Sequence, residues 1–221
     1  MSGYDFDWSV VIKYFPVLLR GLKMTLFISF LATLLGISIG LLAGLGRVSK
    51  FKILNIISSL YVQIIRGIPL LVFLLYIYFG FGSFIDVSAL VAAIIGLGVF
   101  SGAYVAEIVR GGIESIQKGQ WEAAQSIGLN YSQQMRLIIL PQALRAILPA
   151  LAGQFIILIK DSSLVSVISI VELTLISKNV VVRTFQAFEI WTLTAAFYLF
   201  LTYSLSRFVK VLEDRYKSFS M

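Results

Sequence analysis

Residues 122–141, EAAQSIGLNYSQQMRLIILP, form a polar insert between two apolar segments and are the most informative stretch of the sequence. The insert begins with Glu-Ala-Ala, contains a glycine at position 128 and ends with Ile-x-Leu-Pro at 138–141. Asn130 is followed three residues later by Gln133, which predicts a capping box at the start of a helix. The insert therefore predicts short helices in a loop between the apolar segments.

The first helix of the insert is predicted to present a docking surface to a partner. Ala123 and Ala124 leave a thin face that another protein can approach closely. Glu122 is expected in the first turn, where a negative charge interacts favourably with the helix dipole. Gly128 is well placed to end the helix in a left-handed conformation. The alternative is an ordinary polar loop, which the complete pattern disfavours.

Composition assigns the chain to a class of protein. Of the 221 residues, 59% are hydrophobic and only 13% are charged, and the mean hydropathy is +0.94. A soluble domain of this size does not need so much apolar surface, so the chain is expected to contact lipid. The sequence has no cysteine and no histidine, which excludes a disulfide framework, a thiolate metal site and a histidine general base. No catalytic residue and no metal site are therefore predicted.

Long uncharged runs predict the membrane-crossing helices, since a bilayer core requires about 20 helical residues. Four runs qualify, with 23, 19, 20 and 17 residues: 24–46, 67–85, 87–106 and 190–206. A fifth candidate, 146–171, is apolar apart from Lys160 and Asp161. Residues 53–65 are either the start of the second crossing or an interfacial helix that leads into it. The predicted fold class is an all-α polytopic membrane protein, with five transmembrane helices in a single transmembrane domain, 1–221.

A stripe of small residues marks the first of these runs. Gly36, Gly40 and Gly44 recur at every fourth position, so they fall on one face of a helix. Such a face predicts close packing against another helix and carries no information about function.

The distribution of lysine and arginine predicts the orientation of the chain. Eleven of the 18 basic residues fall in segments 47–52, 107–145 and 207–221, which five crossings place on one side. Six fall on the other side, and Arg66 is unassigned. The positive-inside rule therefore places the polar insert and the C-terminus in the cytoplasm and the N-terminus outside. Because the basic residues flank apolar runs, the net charge of +7 is attributed to topology and not to nucleic-acid binding.

Residues 122–141 resemble the cytoplasmic EAA loop in the membrane subunits of ATP-binding-cassette (ABC) importers. Residues 101–120 and 66–71, SGAYVAEIVRGGIESIQKGQ and RGIPLL, are similar to the branch of these permeases that takes up polar amino acids such as histidine, glutamine and arginine. The similarity extends to residues 21–26 and 158–167 and covers essentially the whole chain. It implies the type I ABC importer fold.

The resemblance also implies an assembly. In this family the EAA loop forms a coupling helix that docks on an ATPase subunit. A cytoplasmic coupling-loop region, 113–141, is therefore predicted to dock through Glu122, Ala123, Ala124 and Gly128. The implied partners are a second copy of the chain or a close paralogue, two ABC ATPase subunits, an extracytoplasmic amino-acid-binding protein and membrane lipid. The sequence contains no Gly-Lys dipeptide and hence no P-loop. ATP and Mg are therefore assigned to the partner ATPase, and this chain is predicted to bind no cofactor and not to be an enzyme.

Charged residues inside the membrane are candidates for the substrate site, because each costs roughly 2.5–3.5 kcal/mol at a helix centre. Asp161 lies about 24 Å beyond Arg145 along the helix of its crossing. The run Asp161-Ser162-Ser163 is expected to loosen this helix and to expose backbone groups, and the carboxylate attracts a guanidinium or ammonium group. The alternative is a structural ion pair of Asp161 with Lys160 or with another basic residue.

Arg66 is the second candidate for substrate binding. It is followed by Gly67 and Pro69, which predict an irregularity in the second crossing, and a cation there is suited to hold a substrate α-carboxylate. The alternative is an interfacial arginine that extends to the lipid headgroups. Glu107 and Arg110 lie three residues apart near the cytoplasmic end of the third crossing. They are predicted to pair along the helix face or to line an inner gate.

The segment between the last two crossings contains four charged residues: Glu172, Lys178, Arg183 and Glu189. They are predicted to belong to an outer loop that contacts the binding protein, and a solvated loop without a partner is the alternative.

The predicted function is that of a permease subunit which translocates a polar amino acid. A carboxylate at Asp161 favours a basic substrate, with arginine first and lysine or histidine next, and glutamine is the neutral alternative. An ion-coupled secondary transporter is a second class, but it predicts inverted repeats, and no convincing internal repeat is found. An intramembrane enzyme needs a catalytic base or a nucleophile pair, and the lack of histidine, cysteine and paired acids in the spans excludes it.

Overall fold

The computed structural model describes residues 4–80, 82, 84 and 86–218, with side chains described as far as residue 211. The regular elements among these residues are all helical. In chain order the α-helices are α1 (Ser9–Arg47), α2 (Lys52–Gly67), α3 (Leu70–Leu75), α4 (Ala89–Glu114), α5 (Lys118–Ser126), α6 (Tyr131–Gln134), α7 (Leu140–Asp161), α8 (Leu173–Thr184) and α9 (Ala187–Ser218). Helical turns of other types extend α3, α6 and α7: π-helical Tyr76–Gly80 and Met135–Ile139, and 3₁₀-helical Ser162–Ile168.

Four helical segments are long and apolar enough to cross a membrane: Ser9–Arg47, Ala89–Glu114, Tyr131–Ile168 and Ala187–Val211. Between the first two, α2 and α3 form a pair that is bent by 105°. The bend has a local cause, because Pro69 restricts Ile68 to extended backbone, with φ −107° and ψ 135°. Residues 53–65 therefore belong to a separate helix, α2, which leads into α3 at the bend. The predicted end of this crossing at residue 85 lies outside the described residues.

The glycine stripe of α1 determines how this helix packs on α4. Gly40 faces Val105 and Gly44 faces Val109 so closely that an added Cβ atom would overlap either valine. The predicted close packing is confirmed. Successive glycines meet successive turns of α4 in the same order, so the two helices run parallel. The chain between them has to return across the membrane, and the α2–α3 pair makes that return. The described helices therefore provide four continuous crossings, and the predicted five if the bent α2–α3 pair is one span.

The first helix begins earlier than the uncharged run predicted. It continues from Ser9 to Arg47 as one helix of 39 residues, so Lys13, Arg20 and Lys23 lie on it and not in a segment before it. A helix of that length rises about 58 Å, whereas a bilayer core is only about 30 Å thick. The first turns of α1 therefore project beyond the membrane. We call this end of the bundle the far end, and the end that carries α5 and α6 the loop end.

The segment between the last two crossings is helical, which corrects the predicted loop. Glu172 is fully buried at the N-terminus of α8 and accepts hydrogen bonds from the N–H groups of Thr174 and Leu175, both at 2.8 Å. The hydroxyls of Tyr198 and Thr25 also donate to this carboxylate, at 3.2 and 3.3 Å. These four donors replace the water that an exposed carboxylate would bind. The prediction that Glu172 belongs to an outer loop is therefore wrong: it caps a helix and is buried.

Glu189 is also buried, at the start of α9, and the same prediction is wrong for it. Its carboxylate accepts hydrogen bonds from the hydroxyl of Tyr4 at 2.5 Å and from the N–H of Asp7 at 2.8 Å. This acid therefore fixes the segment before α1 to the far end of the bundle. Lys178 and Arg183 are exposed.

Candidate functional site

The predicted docking helix is α5, which follows the N-cap residue Gln117. Glu122 is the fifth of its nine residues and lies outside the first turn. The prediction for the position of Glu122 is wrong because residues 118–121 are already helical, so its charge lies a full turn from the first N–H groups. Its side chain is exposed on the surface of the helix.

The two alanines of α5 lie on different faces. Ala124 is only 3% exposed, whereas Ala123 is exposed. Adjacent helix positions point about 100° apart, so neighbours do not share one face. The exposed neighbour of Ala123 is Ile127, four positions on and 73% exposed. Sequence analysis missed Ile127, although an apolar residue four positions after an alanine in a polar loop was a usable signal.

Gly128 ends α5 in the left-handed conformation that the sequence predicted, with φ +81°. Its N–H donates to the carbonyl of Gln125 at 2.9 Å, and the N–H of Leu129 donates to the carbonyl of Ala124 at 3.2 Å. This pair of bonds is the Schellman arrangement, which satisfies two of the last carbonyl groups of the helix. The bonds also turn the chain sharply away from the exposed face of α5.

The chain after α5 is fixed to the end of α1. Asn130 and Gln133 form the predicted capping box, with bonds of 3.0 and 2.9 Å. Tyr131, the first residue of α6, stacks on Trp121 with 6.0 Å between ring centroids. The hydroxyl of Tyr131 donates to the carbonyl of Val48 at 3.0 Å, directly after α1. The docking helix is therefore attached to the bundle on this side.

A side-chain hydrogen bond attaches α5 to the start of α7. Gln142 Nε2 donates to Gln120 Oε1 at 3.0 Å. The α7 helix has 22 residues and ends at Asp161. A single helix therefore connects the contact with α5 at Gln142 to the candidate substrate site.

Asp161 is the last residue of α7, and the α-helix changes to a 3₁₀ segment at Ser162, as the polar run predicted. The Asp161 side chain is half-buried, and no side chain in the described part of the protein forms a hydrogen bond or ion pair with it. Lys160, the neighbour of Asp161 in sequence, is exposed and forms no ion pair with it. The described residues thus contain no structural ion pair at this position.

The two serines after Asp161 differ in their surroundings. Ser162 is fully buried, and its hydroxyl donates to the carbonyl of Ile159 at 2.7 Å. Ser163 is half-buried and, among the described residues, has no hydrogen-bond partner for its hydroxyl. Asp161 and Ser163 therefore provide the unpaired polar atoms of this run.

Glu107 on α4 is the centre of an ion-pair network near the loop end. Its Oε1 atom contacts Arg47 and Arg66, and its Oε2 atom lies 2.8 and 2.9 Å from Nη2 and Nε of Arg110. Arg110 also pairs with Glu114. The predicted helix-face pair of Glu107 and Arg110 is present, and two further arginines share its carboxylate. The contact with Arg47 was not predicted, because this residue belongs to a different helix and no local pattern indicates the contact.

Arg66 lies at the break between α2 and α3. Its Nη1 atom is 2.8 Å from Glu107 Oε1, and its guanidinium carbon is 5.2 Å from the centroid of the Tyr104 ring. Its side chain is 41% exposed, so one side remains accessible. Arg66 and Asp161 lie on separate helices that border the same large hydrophobic cluster, to which their neighbours Ile65 and Leu158 belong. Among the described contacts, none joins the two charged groups directly.

Comparisons with known proteins agree with this architecture. Residues 36–218 match the family described as "Binding-protein-dependent transport system inner membrane component". The "Glutamine transport system permease protein GlnP" of Escherichia coli (strain K12) is 43% identical over 216 residues, which cover 96% of this chain and 99% of that protein. The "Probable amino-acid ABC transporter permease protein YckA" of Bacillus subtilis (strain 168) is 43% identical over 214 residues, which cover 96% of this chain and 95% of that protein.

A solved structure has the same fold over nearly the whole chain. It is the crystal structure of an amino acid ABC transporter with histidines, with a TM-score of 0.92 and 39% identity. The match covers 96% of this chain and 100% of that chain. The predicted fold class, an all-α membrane protein with the type I ABC importer fold, is confirmed.

Proposed function

Because this chain belongs to the family of binding-protein-dependent transport system inner membrane components and is an amino-acid ABC permease subunit, we propose that it translocates a basic amino acid. Arginine is the first candidate, followed by lysine and histidine. The proposed substrate site comprises Asp161, Ser162 and Ser163 at the end of α7 and Arg66 at the break in the second crossing.

The observation that carries this proposal is the state of the Asp161 carboxylate. It is half-buried in a membrane-crossing segment and has no hydrogen-bond or ion-pair partner among the described residues. An unpaired charge in apolar surroundings is costly. A guanidinium or ammonium group on the substrate reduces this cost, whereas an acidic side chain is repelled.

The substrate α-carboxylate requires a cation or N–H donors, and Arg66 is the proposed partner. Its accessible side permits a bidentate contact with a carboxylate. Its bond to Glu107 then has to be shared or released when substrate binds. The break between α2 and α3 adds backbone groups that a continuous helix would have used internally, as in other transporters with interrupted helices. Ser162 supports the site indirectly, by fixing the turn at Ile159.

Glutamine is the second candidate, and the similarity to GlnP favours it. Glutamine and arginine share the α-amino-acid group and differ in the charge at the end of the side chain. The transporter solved with histidines favours a site that accepts a basic side chain. The two candidates are therefore distinguished by how strongly transport depends on the negative charge of Asp161.

Energy coupling is proposed to run through α5. Ala123, Glu122 and Ile127 form the exposed docking surface for an ATPase subunit, which binds ATP and Mg. Ala124 is buried beneath this surface, and Gly128 ends the helix. The Glu107–Arg110 pair is proposed to belong to the gate at the loop end, because it connects three helices near the mouth of the bundle.

The proposed assembly contains two copies of this chain or a close paralogue pair, two ATPase subunits and an external binding protein. Five crossings do not readily enclose a pathway that opens to both sides of the membrane in turn, which supports a pair of permease subunits. The loop end, with region 113–141 and the C-terminus, is proposed to face the cytoplasm because it carries most of the basic residues. The N-terminus is then outside.

The test uses the complete importer in liposomes, with its binding protein, and compares Asp161→Asn with Lys160→Gln. We expect Asp161→Asn to reduce arginine-stimulated ATP hydrolysis by about 10- to 100-fold, the usual effect of removing a charged hydrogen-bond partner. Glutamine-stimulated hydrolysis should change much less. The exposed neighbour Lys160 is the control and should tolerate substitution. Equal loss with both substrates would make Asp161 structural, and no loss with either would place the substrate elsewhere.

A further inference from the structure

A cavity of about 430 Å³ lies between α1 and α8 at the far end of the bundle. Its lining residues include Tyr14, Arg20 and Met24 from α1, and Val171, Asn179 and Arg183 from α8 and the residues before it. The two helices meet closely beside the cavity, because an atom added at Gly21 would lie 2.8 Å from Leu173 Cα. We call this cavity the α1–α8 groove.

The groove is positively charged. Two guanidinium groups line it, and no carboxylate is among its lining residues. Within the described structure, neither Arg20 nor Arg183 forms an ion pair. Glu172, which directly follows the lining residue Val171, is buried and bonded to four donors of its own. The charge of the groove is therefore not compensated by the described part of the chain.

The groove lies at the level where the membrane ends. Met24 is the first residue of the uncharged run of α1, and Arg20 precedes it by four residues. This spacing corresponds to about 6 Å along the helix. The headgroup layer extends roughly 5–7 Å beyond each face of the hydrocarbon core. Arg20 is thus at the depth of lipid phosphate groups.

The polarity of the groove changes along its length. Gly21 contacts Leu173, and Val10 packs with Val180, so α8 runs antiparallel to α1. Val171 therefore lies toward Met24, on the membrane side, and Arg183 lies toward the N-terminal turns of α1. The groove is apolar near the membrane core and cationic away from it. A phospholipid has the same order, with acyl chains in the core and the phosphate above them.

We propose that the α1–α8 groove binds an anionic phospholipid. The phosphate contacts Arg20 and Arg183, with Asn179 as an additional hydrogen-bond donor. The first carbons of one acyl chain pack against Met24 and Val171. Bound in this position, the lipid bridges α1 and α8 and neutralises the groove. This inference depends on the depth and charge of the groove and does not depend on the proposed substrate.

The size of the effect follows from the usual contribution of one basic residue near an anionic lipid surface. Loss of a single arginine is expected to weaken binding about fivefold, and loss of both about 30-fold. Arg20→Gln and Arg183→Gln both replace exposed side chains, so the fold should tolerate them. Lys23→Gln on α1 and Lys178→Gln on α8 are matched controls, since both lysines are exposed and lie outside the lining of the groove.

The experiment is native mass spectrometry of the importer complex, delipidated in detergent and titrated with phosphatidylglycerol or with phosphatidylcholine. We expect wild-type protein to bind phosphatidylglycerol more tightly than phosphatidylcholine. The Arg20→Gln/Arg183→Gln double variant should lose this preference, and the Lys23→Gln/Lys178→Gln control should keep it. The single variants Arg20→Gln and Arg183→Gln, each expected to bind phosphatidylglycerol about fivefold more weakly, test the groove even if the double variant cannot be purified.

Several results would overturn the proposal. Equal binding of the two lipids by wild-type protein would disprove the proposal. It would also be disproved if the arginine and lysine double variants lost the preference for phosphatidylglycerol to the same extent. Displacement of the lipid by millimolar inorganic phosphate would identify a site for soluble anions. If the arginine double variant bound lipid normally but lost its response to the binding protein, or separated into single permease subunits, the groove would be a protein contact.

Discussion

Arg66 at the end of α2 and Glu107 on α4 are joined by an ion pair, with 2.8 Å between Nη1 and Oε1. The pair connects the break in the second crossing to the helix that packs on the glycine stripe of α1. Because Glu107 also holds Arg47 and Arg110, one carboxylate joins three helices. If the angle between α2 and α3 changes, either the whole ion-pair network has to move with Arg66 or the bond between Arg66 and Glu107 has to break.

Glu107→Gln should lower the free energy of unfolding of the permease in detergent. Three guanidinium groups lose a shared carboxylate, and a charged hydrogen bond contributes about 1.5–3 kcal/mol. The measurement is the thermal unfolding midpoint. Glu114→Gln is the control, because Glu114 is 54% exposed and, among the described residues, pairs with Arg110 alone. Equal midpoints in the two variants would show that the network adds no stability.

Ala123→Arg should prevent docking of the ATPase while leaving the permease in the membrane. A long charged side chain on the exposed face of α5 keeps the partner at a distance, so we expect co-purification of the ATPase to fall at least about tenfold, the effect of 1.4 kcal/mol. Ile127→Ser should also reduce co-purification of the ATPase, because Ile127 exposes its apolar side chain beside Ala123. Ser132→Arg on α6, which is exposed and is not one of the docking residues of α5, is the control. Normal co-purification and transport with Ala123→Arg would disprove the docking surface.

Gly128→Ala should impair coupling more than Gly119→Ala. Gly128 has φ +81°, where a Cβ atom costs about 1–2 kcal/mol. Gly119 lies in the same helix, has ordinary backbone and has no atom near the position of an added Cβ. The measurement is ATP hydrolysis stimulated by substrate and binding protein at equal expression. If the two variants behaved alike, the left-handed end of α5 would have no role in coupling.

Gly40→Ala should destabilise the bundle, because the added Cβ would overlap Val105 on α4. Overpacking of this kind costs about 1–3 kcal/mol. Gly111→Ala on α4 is the matched control, since an added Cβ there meets no atom within 4 Å and an alanine favours helix. Urea or thermal unfolding in detergent compares the two. An unchanged midpoint for Gly40→Ala would mean that α1 and α4 can separate slightly at no cost.

The features that the sequence alone determined are those that depend on near neighbours in the chain. The apolar runs predicted five crossings, since membrane insertion responds to the composition of about 20 consecutive residues. Gly128 and the Asn130–Gln133 box predicted the ends of α5 and α6 correctly, because helix caps form between residues a few positions apart. The change of helix type at Ser162 followed from the polar run in the same way.

Other features were decided by the tertiary structure. Glu172 was predicted to belong to an outer loop, but Thr25 and Tyr198, from two other helices, supply donors that permit its burial. Arg66 shares Glu107 with Arg47 because three helices converge near the loop end, and no local pattern encodes that convergence. The free energy of such contacts comes from groups far apart in sequence, and whether a charge is buried, paired or left available for a substrate depends on which helices pack around it.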